Sequence, residues 1–284
     1  MRTALVTGGA GFIGSALIRH LVEREYEVRV FDDLSTGQLS NIEGTGVDFV
    51  EGDVRDLDPL SAAAAGSSVV FHLAAGTGVL PSIEDPLADF DLNARGTLTA
   101  LVAARKAGAR RFVFSSSNAP LGEGAYPASE DKPIAPLSPY GASKSAGEAY
   151  CSAFHGAYGL DAVAVRFSNA YGPRSAHKTN VIPSFIRRLL AGEELVVYGD
   201  GEQTRDFVFV TDLAEGLVLA AEADDVGGEI FQLASGVETS VNDLIGLLGE
   251  AAGRTPHVRY EPPRAGEILR NYSLVEKARA RLGL

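Results

Sequence analysis

The chain has 284 residues, 45% hydrophobic and 22% charged, with 32 glycines and a net charge of −12. That balance excludes a disordered or fibrous chain and fits one α/β unit of enzyme size carrying a smaller lobe. The acidic excess argues against nucleic acid as a partner, since that needs a basic face; a small anionic ligand needs only a few arginines at one site.

Residues 1–7 carry no signal-peptide pattern and read as the approach to a short apolar strand, Thr3–Thr7. Thr7-Gly8-Gly9-Ala10-Gly11-Phe12-Ile13-Gly14 comes next and opens a helix, Phe12–Val22, with Ile13, Leu17, Ile18 and Leu21 along one side. In such a strand–turn–helix unit Gly8 permits the tight turn and Gly11 lets the backbone approach a pyrophosphate. Gly14 lets the helix pack closely on the sheet, and the free N–H groups of the helix face the phosphates. Glu27–Phe31 is the next strand. Asp32 at its end falls about 20 residues past the loop, where an acid accepts the adenosine ribose hydroxyls and repels a 2′-phosphate. NAD is therefore expected over NADP.

Strands are expected next at Val47–Val50, Ser68–His72 and Arg111–Phe114, with a helical stretch, Leu87–Ala107, between the last two. Ser115-Ser116-Ser117 ends the Arg111 strand, on the sheet edge where parallel sheets bind ligands. Ser117 is expected to hold a reacting hydroxyl. Tyr140–Tyr158 reads as a helix that sets Tyr140 and Lys144 on one face, one turn apart. Bringing a phenol from a pKa of about 10 to about 7 takes about 4 kcal/mol. A neighbouring ammonium supplies part of this and a cationic nicotinamide more. The phenolate then takes a hydroxyl proton as hydride leaves the same carbon. Cys151, in the same helix, is the only cysteine, which rules out a disulfide within the chain and suits a reducing cytoplasm. Ala162–Phe167 is a further strand. Strands alternating with helices imply a doubly wound, Rossmann-type parallel sheet covered on both faces.

Beyond about residue 170 the pattern is broken by Pro173, Pro183, Gly199–Gly201, Gly227-Gly228 and Pro262-Pro263, with helices expected at Ile182–Ala191, Asp212–Ala221 and Val241–Ala251. Residues 1–170 are expected to form the NAD-binding domain, joined by a returning segment at about 203–222, and 171–284 mainly a substrate-binding lobe. No apolar run approaches the roughly 18 residues of a membrane-spanning helix, so no membrane partner is expected.

These residues resemble the extended short-chain dehydrogenases/reductases, and within them the NAD-dependent nucleotide-sugar epimerase/dehydratase group. The likeness runs from Thr3 to about Leu282. It is carried by Thr7–Gly14, Asp32–Gly37, Gly52-Asp53-Val54, His72–Ala75, Asn93 with Gly96-Thr97, Ser115–Ser117, Tyr140–Lys144, Arg166–Asn169, Tyr171-Gly172-Pro173, Gly199–Gly201 with Arg205–Phe207, and Arg264–Glu267. The resemblance implies a catalytic set of Ser117, Tyr140 and Lys144. It implies cofactor contacts from Gly8, Gly11, Phe12, Ile13, Gly14, Asp32, Asp33, Leu34, Ser35, Thr36, Gly37, Asp53, Val54, Leu73, Ala74, Ala75, Asn93, Ser115, Phe167 and Ser168, besides Tyr140 and Lys144. Substrate contacts are implied for Ser117, Asn118, Asn169, Asn180, Val181, Val196, Tyr198, Arg205, Arg264, Glu267 and Asn271. The two arginines suit this role, because a guanidinium binds phosphate bidentately. No metal is expected, and His72 is read as structural.

In 4,6-dehydratases of this group an Asp and a Glu come directly after the catalytic hydroxyl residue and serve the elimination of water. Here Asn118 and Ala119 stand there, which points to 4-epimerisation of a nucleotide-activated hexose; UDP is favoured by likeness. Dehydratase or reductase activity, or a non-catalytic NAD-sensing role, are the other readings. The group's Val-Tyr-Gly after the serine is replaced by Pro120-Leu121-Gly122. Relatives pair the helices matching Leu87–Ala107 and Ser143–Tyr158 across a two-fold axis. Here Ala146, Ala149, Tyr150, Ala153, Phe154 and Ala157 spread over more than one face of the second, so a homodimer is expected.

Overall fold

The computed structural model describes residues 2–124, 126–176, 178–263 and 269–284. β1 (Arg2–Thr7) is apolar at consecutive positions, and Ala4, Leu5 and Val6 are all buried. A strand covered on both faces demands this pattern. α1 (Phe12–Glu23) comes after the glycine loop and buries Leu17, Ile18 and Leu21. Then come β2 (Tyr26–Asp32), β3 (Asp48–Glu51), α2 (Leu57–Ala64) and β4 (Val69–His72).

The single helix expected at Leu87–Ala107 is instead a series. α3 (Val79–Glu84) precedes it, α4 (Pro86–Asp89) starts it, a π-helical stretch (Phe90–Arg95) widens it, and α5 (Gly96–Lys106) completes it. Asp85 caps α4 by accepting from the Ala88 N–H at 3.0 Å, with Pro86 in the first turn where its missing N–H is harmless. Helical periodicity does not reveal a π turn, which adds one residue without breaking the helix.

β5 (Arg111–Ser115), α6 (Pro139–Tyr158) and β6 (Asp161–Phe167) continue the alternation. The later elements are β7 (Asn169–Tyr171), α7 (Val181–Ala191), β8 (Leu195–Tyr198), β9 (Thr204–Arg205), β10 (Phe207–Phe209), α8 (Val210–Glu222), β11 (Ile230–Leu233), β12 (Thr239–Ser240), α9 (Val241–Ala252), β13 (Val258–Glu261) and α10 (Glu276–Leu282).

Seven strands form the main sheet in the order β3-β2-β1-β4-β5-β6-β11, and every pair is parallel. This is the doubly wound, Rossmann-type sheet. Its last strand, β11, pairs with β6 through Ile230 to Leu233; the returning segment expected at about 203–222 did not include it. One face of the sheet packs on α1, α8 and α10 through Leu17, Ile18, Leu213, Leu217 and Leu282. The other packs on α2, α5 and α6 through Leu60, Leu101, Phe112, Phe114 and Phe154. A third, separate core joins α7, β8 and α9 through Ile182, Phe185, Leu195, Leu244 and Ile245.

Candidate active site

The strand order reverses between β1 and β4, and a cleft opens beyond the C-terminal ends of those strands. Gly8 turns the chain there at φ +69°, a conformation L side chains rarely adopt, and an added Cβ would lie 2.6 Å from the Ala74 nitrogen. At Gly14 a Cβ would land on the Gly8 carbonyl oxygen. Both positions therefore need glycine.

Most of the expected cofactor residues line this cleft. Gly8, Gly11, Phe12, Ile13 and Gly14 form its floor, and Asp32, Asp33, Ser35, Thr36 and Val54 one end. Leu73, Ala74, Ala75, Ser115, Tyr140, Lys144 and Phe167 form the rest. Asp32 is 6% exposed and accepts from the Ala10 N–H at 3.0 Å and the Leu34 N–H at 2.9 Å. Burial pushes its pKa up, against the pull of those two bonds. Gly52 and Ser116, from two of the sequence motifs, also line the cleft, as do Thr77, Leu92 and Lys178, which the sequence did not single out.

Leu34, Gly37, Asp53, Asn93 and Ser168 are not part of that lining. Leu34 and Gly37 pack around Asp32, the first through its N–H. Asp53 is taken up by Arg55, which holds its carboxyl below the ordinary range. Asn93 stands behind the cleft wall. Its amide oxygen accepts from the Gly76 N–H at 2.9 Å, and its nitrogen donates to the Gly76 carbonyl at 3.0 Å and to Asp89 at 2.7 Å. Through these three bonds Asn93 shapes the loop after β4.

Tyr140 and Lys144 come from the first turns of α6, which Ser138 caps. Ser117 comes from the end of β5. The Lys144 ammonium is buried, donates to the Ser115 carbonyl at 2.8 Å, and lies 5.9 Å from the centroid of the Tyr140 ring. Burial pulls its pKa down to about 8, against the opposing charges of Asp89 and Glu148. Burial likewise pushes the Tyr140 phenol up, and a hydrogen bond with Ser117 pulls it partly back. The lowering of Tyr140 expected from the ammonium is thus not a property of the chain alone.

Two acids that the sequence did not single out stand beside this pair. Glu148, one turn beyond Lys144, accepts from Ser116 Oγ at 2.6 Å and from both Nε and Nη2 of Arg166 at 2.8 Å. Asp89 accepts from Ser143 Oγ at 2.6 Å, alongside its bond from Asn93. His72 is buried, lies 2.8 Å from Thr7 Oγ1, and is held neutral with its pKa pushed down to about 3, mainly by burial. That is a structural residue.

On the other side of the site, Asn118 donates to Ser273 Oγ at 2.9 Å and to Ser168 Oγ at 3.3 Å, joining the ends of β5 and β6 to the C-terminal segment. Asn169 donates to the Asp206 carbonyl. Asn180 is exposed and precedes α7, of which Val181 is the first residue. Val196 and Tyr198 are half-buried in β8, and Arg205 is half-buried in β9. Asn271 is half-buried, with its amide oxygen buried and unpartnered among the described residues. Arg264 and Glu267 lie outside the described residues.

A turn that only glycine can make, a helix N-terminus facing it and a buried acid beyond the next strand together fit a dinucleotide. The family described as NAD dependent epimerase/dehydratase matches residues 4–234. The chain belongs to that family. It is 40% identical to the UDP-glucose 4-epimerase of Mycolicibacterium smegmatis, over 99% of this chain and 91% of the relative. The structure of a UDP-N-acetylglucosamine 4-epimerase from Methanobrevibacter ruminantium, in complex with UDP-N-acetylmuramic acid, is similar with a TM-score of 0.95 and 33% identity, covering 100% of this chain and 92% of that one. A dTDP-glucose 4,6-dehydratase from Streptomyces venezuelae with NAD bound is similar with a TM-score of 0.89 and 34% identity, covering 99% and 91%. NAD is the cofactor of this protein, and its activity is that of a nucleotide-sugar epimerase or dehydratase.

If Asp32 faces the adenosine ribose, Asp32→Ala removes an acceptor for its hydroxyls and the charge that repels a 2′-phosphate. The preference for NAD over NADP should fall by about tenfold or more, the worth of a charge-assisted hydrogen bond. Fluorescence titration with NADH and NADPH measures it, and an unchanged preference would place Asp32 away from the ribose.

Proposed function

We propose that the protein interconverts the C4 epimers of a nucleotide-activated hexose, with a UDP-sugar favoured, through a transient 4-keto sugar. The observation that carries this reading is the pair of residues directly after Ser117. Asn118 and Ala119 offer no carboxyl group for eliminating water, and the Asn118 amide nitrogen is engaged by Ser273 and Ser168. Ser117 holds the C4 hydroxyl and Tyr140 takes its proton. Bound NAD supplies the hydride acceptor and, when oxidised, a positive charge beside the phenol. Lys144, tied to the Ser115 carbonyl, keeps a cation on the same side. The keto sugar then offers its other face to the returning hydride, and Tyr140 gives the proton back, so the substrate undergoes no net oxidation.

The two relatives named as 4-epimerases support this reading. The dehydratase relative makes loss of water the second reading, against which Asn118 and Ala119 stand. In this proposal the 1–170 region with its returning segments holds NAD, and the 171–284 region supplies most substrate contacts. Asn169, Asn180, Val181 and Arg205 serve the diphosphate, and Val196 and Tyr198 flank the base. Arg264 and Glu267 enter on sequence alone. Assembly is part of the proposal. Leu80, Leu87 and Phe90 are 69%, 79% and 58% exposed, and Ala149, Tyr150, Ala153 and Ala157 on α6 are exposed as well. A second copy of the chain covering these helices forms a two-fold dimer.

Incubation with a panel of nucleotide sugars, read by NMR, should return the C4 epimer without accumulating NADH; a 4-keto-6-deoxy product would establish dehydration instead. Tyr140→Phe should lower turnover by about 10² to 10⁴, the usual worth of a general base, while NAD stays bound. Near-normal turnover would remove Tyr140 from the chemistry. Asn271→Tyr adds most of an aromatic ring beside the sugar and removes an amide that suits an acetamido group. It should reduce kcat/KM for an N-acetylated hexose far more than for a plain one, and equal losses would take Asn271 out of the sugar pocket. Light scattering at micromolar concentration should give a dimer mass, lost in a Leu87→Glu, Phe90→Glu double variant; a monomeric native chain would overturn the assembly.

A further inference from the structure

Lys178 belongs to none of the motifs that carry the family likeness, yet it lines the NAD cleft together with the glycine loop. Among the described residues of that lining only Lys144 and Lys178 are cationic, and Lys144 is committed to the Ser115 carbonyl. The acids of the lining, Asp32 and Asp33, stand at the end of β2. A diphosphate placed on the loop therefore meets backbone N–H groups and, among the described residues of the lining, one ammonium that no carboxylate holds. The placement of Lys178 is built. Its N–H donates to the Ser175 carbonyl at 2.8 Å, and its carbonyl accepts from Nη1 of Arg187 on α7 at 2.9 Å. The same guanidinium also binds the Ala176 carbonyl. Burial first, and the like charge of Arg174 in this segment second, pull the pKa of Arg19 in the second half of α1 down. Burial alone pulls the Lys178 ammonium down, with no carboxylate opposing it.

We infer that the Lys178 ammonium ion-pairs with the diphosphate of bound NAD, opposite the glycine loop, and is a principal restraint on release of the cofactor. The inference rests on the NAD assignment and on no step of the proposed epimerisation. A half-buried cation with no carboxylate opposing it gains from an anion brought to it, and a diphosphate is the anion this cleft receives. Because Arg187 fastens the segment to α7, occupancy of the cofactor site also restrains the start of that helix.

The test measures NAD release from the diluted holoenzyme for the native chain, Lys178→Ala and Lys178→Arg. A charge-assisted bond of this kind corresponds to about tenfold to a hundredfold in affinity, expressed mostly as faster release. Lys178→Ala should release NAD faster by that factor, and Lys178→Arg should restore most of the retention. Displacement of fluorescent NADH separates the parts of the ligand: ADP-ribose, which carries the diphosphate, should bind Lys178→Ala more weakly by the same factor, and adenosine should bind both proteins equally. Unchanged release, or equal losses for adenosine and ADP-ribose, would overturn the inference. A loss seen only for UDP binding to the NAD-loaded protein would also overturn it, by moving Lys178 to the substrate's diphosphate. A chain that retains NAD through Lys178 and epimerises no sugar would keep this inference and remove the proposed function.

Discussion

The buried ion pair between Glu148 and Arg166 is the constraint on which the site depends. Side chains of both are almost wholly removed from water, at 2% and 1% exposure. Desolvating two charges costs several kcal/mol per ion, and only excellent geometry offsets it. That geometry is present: the guanidinium meets both carboxylate oxygens, and Ser116 supplies a further bond to one of them. A pair of apolar residues of equal volume would fill the space as well but would not fix direction. The bidentate fork does, locking one register of α6 on β6 and the end of β5. Lys144 is one helical turn before Glu148, and Phe167 is the residue after Arg166. The pair thus sets the α6 wall of the cleft and its Phe167 wall against each other. Deleting one partner strands a buried charge, a loss of about 3–5 kcal/mol.

Within that frame the cleft holds charges of both signs. The lining carries Asp32 and Asp33 as well as Lys144 and Lys178, with Asp89 and Glu148 acting on Lys144 from behind. Two lysines thus face the cleft although the whole chain carries −12. Local placement, not net charge, decides which anion enters. The Lys144 side chain is largely shielded from water, so its charge acts with little screening. His72 adds nothing to this balance. It is neutral at any working pH and sits between Phe112 and Phe114, with ring centroids at 6.0 and 6.1 Å. Its position at the end of β4, bonded to Thr7 on the neighbouring β1, ties together the strand ends that lead into the glycine loop and Leu73 to Ala75.

Local features were legible in the sequence. The glycine loop, Asp32 and the Tyr140–Lys144 spacing all lie within one strand–turn–helix unit or one helical turn, so their geometry derives from the period of the element that carries them. The apolar strands were legible for the same reason. The features that stayed hidden depend on contacts far apart in the chain. Glu148 and Asp89 read as ordinary helix acids until the sheet brings Arg166 to one and α6 brings Ser143 to the other. Asn93 matches a family motif, but only the fold shows that its amide is spent on Gly76 and Asp89. Lys178 sits in a stretch with no periodicity at all, placed by a turn from Ser175 and by Arg187 from α7. β11 is four residues long and comes shortly after Gly227-Gly228, which read as a break. Its pairing with β6 is non-local, and no local pattern specifies it.

Asp89 shows why the outer surface and the reaction centre cannot be treated separately. It ends α4, and its carboxylate reaches inward to Ser143 on the catalytic helix and to Asn93 behind the cofactor loop. Its charge also bears on both Tyr140 and Lys144. The residue two before it, Leu87, and the one after it, Phe90, are apolar and exposed. A helix of four residues with so little of its own surface buried has few contacts to hold it. The cap from Asp85 and the two bonds that Asp89 receives hold α4 in place. Covering Leu87 and Phe90 adds apolar burial to the same short segment. It thereby stiffens the one carboxylate shared by the cofactor loop and the catalytic helix, and so ties the geometry around Tyr140 to whatever occupies that outer face.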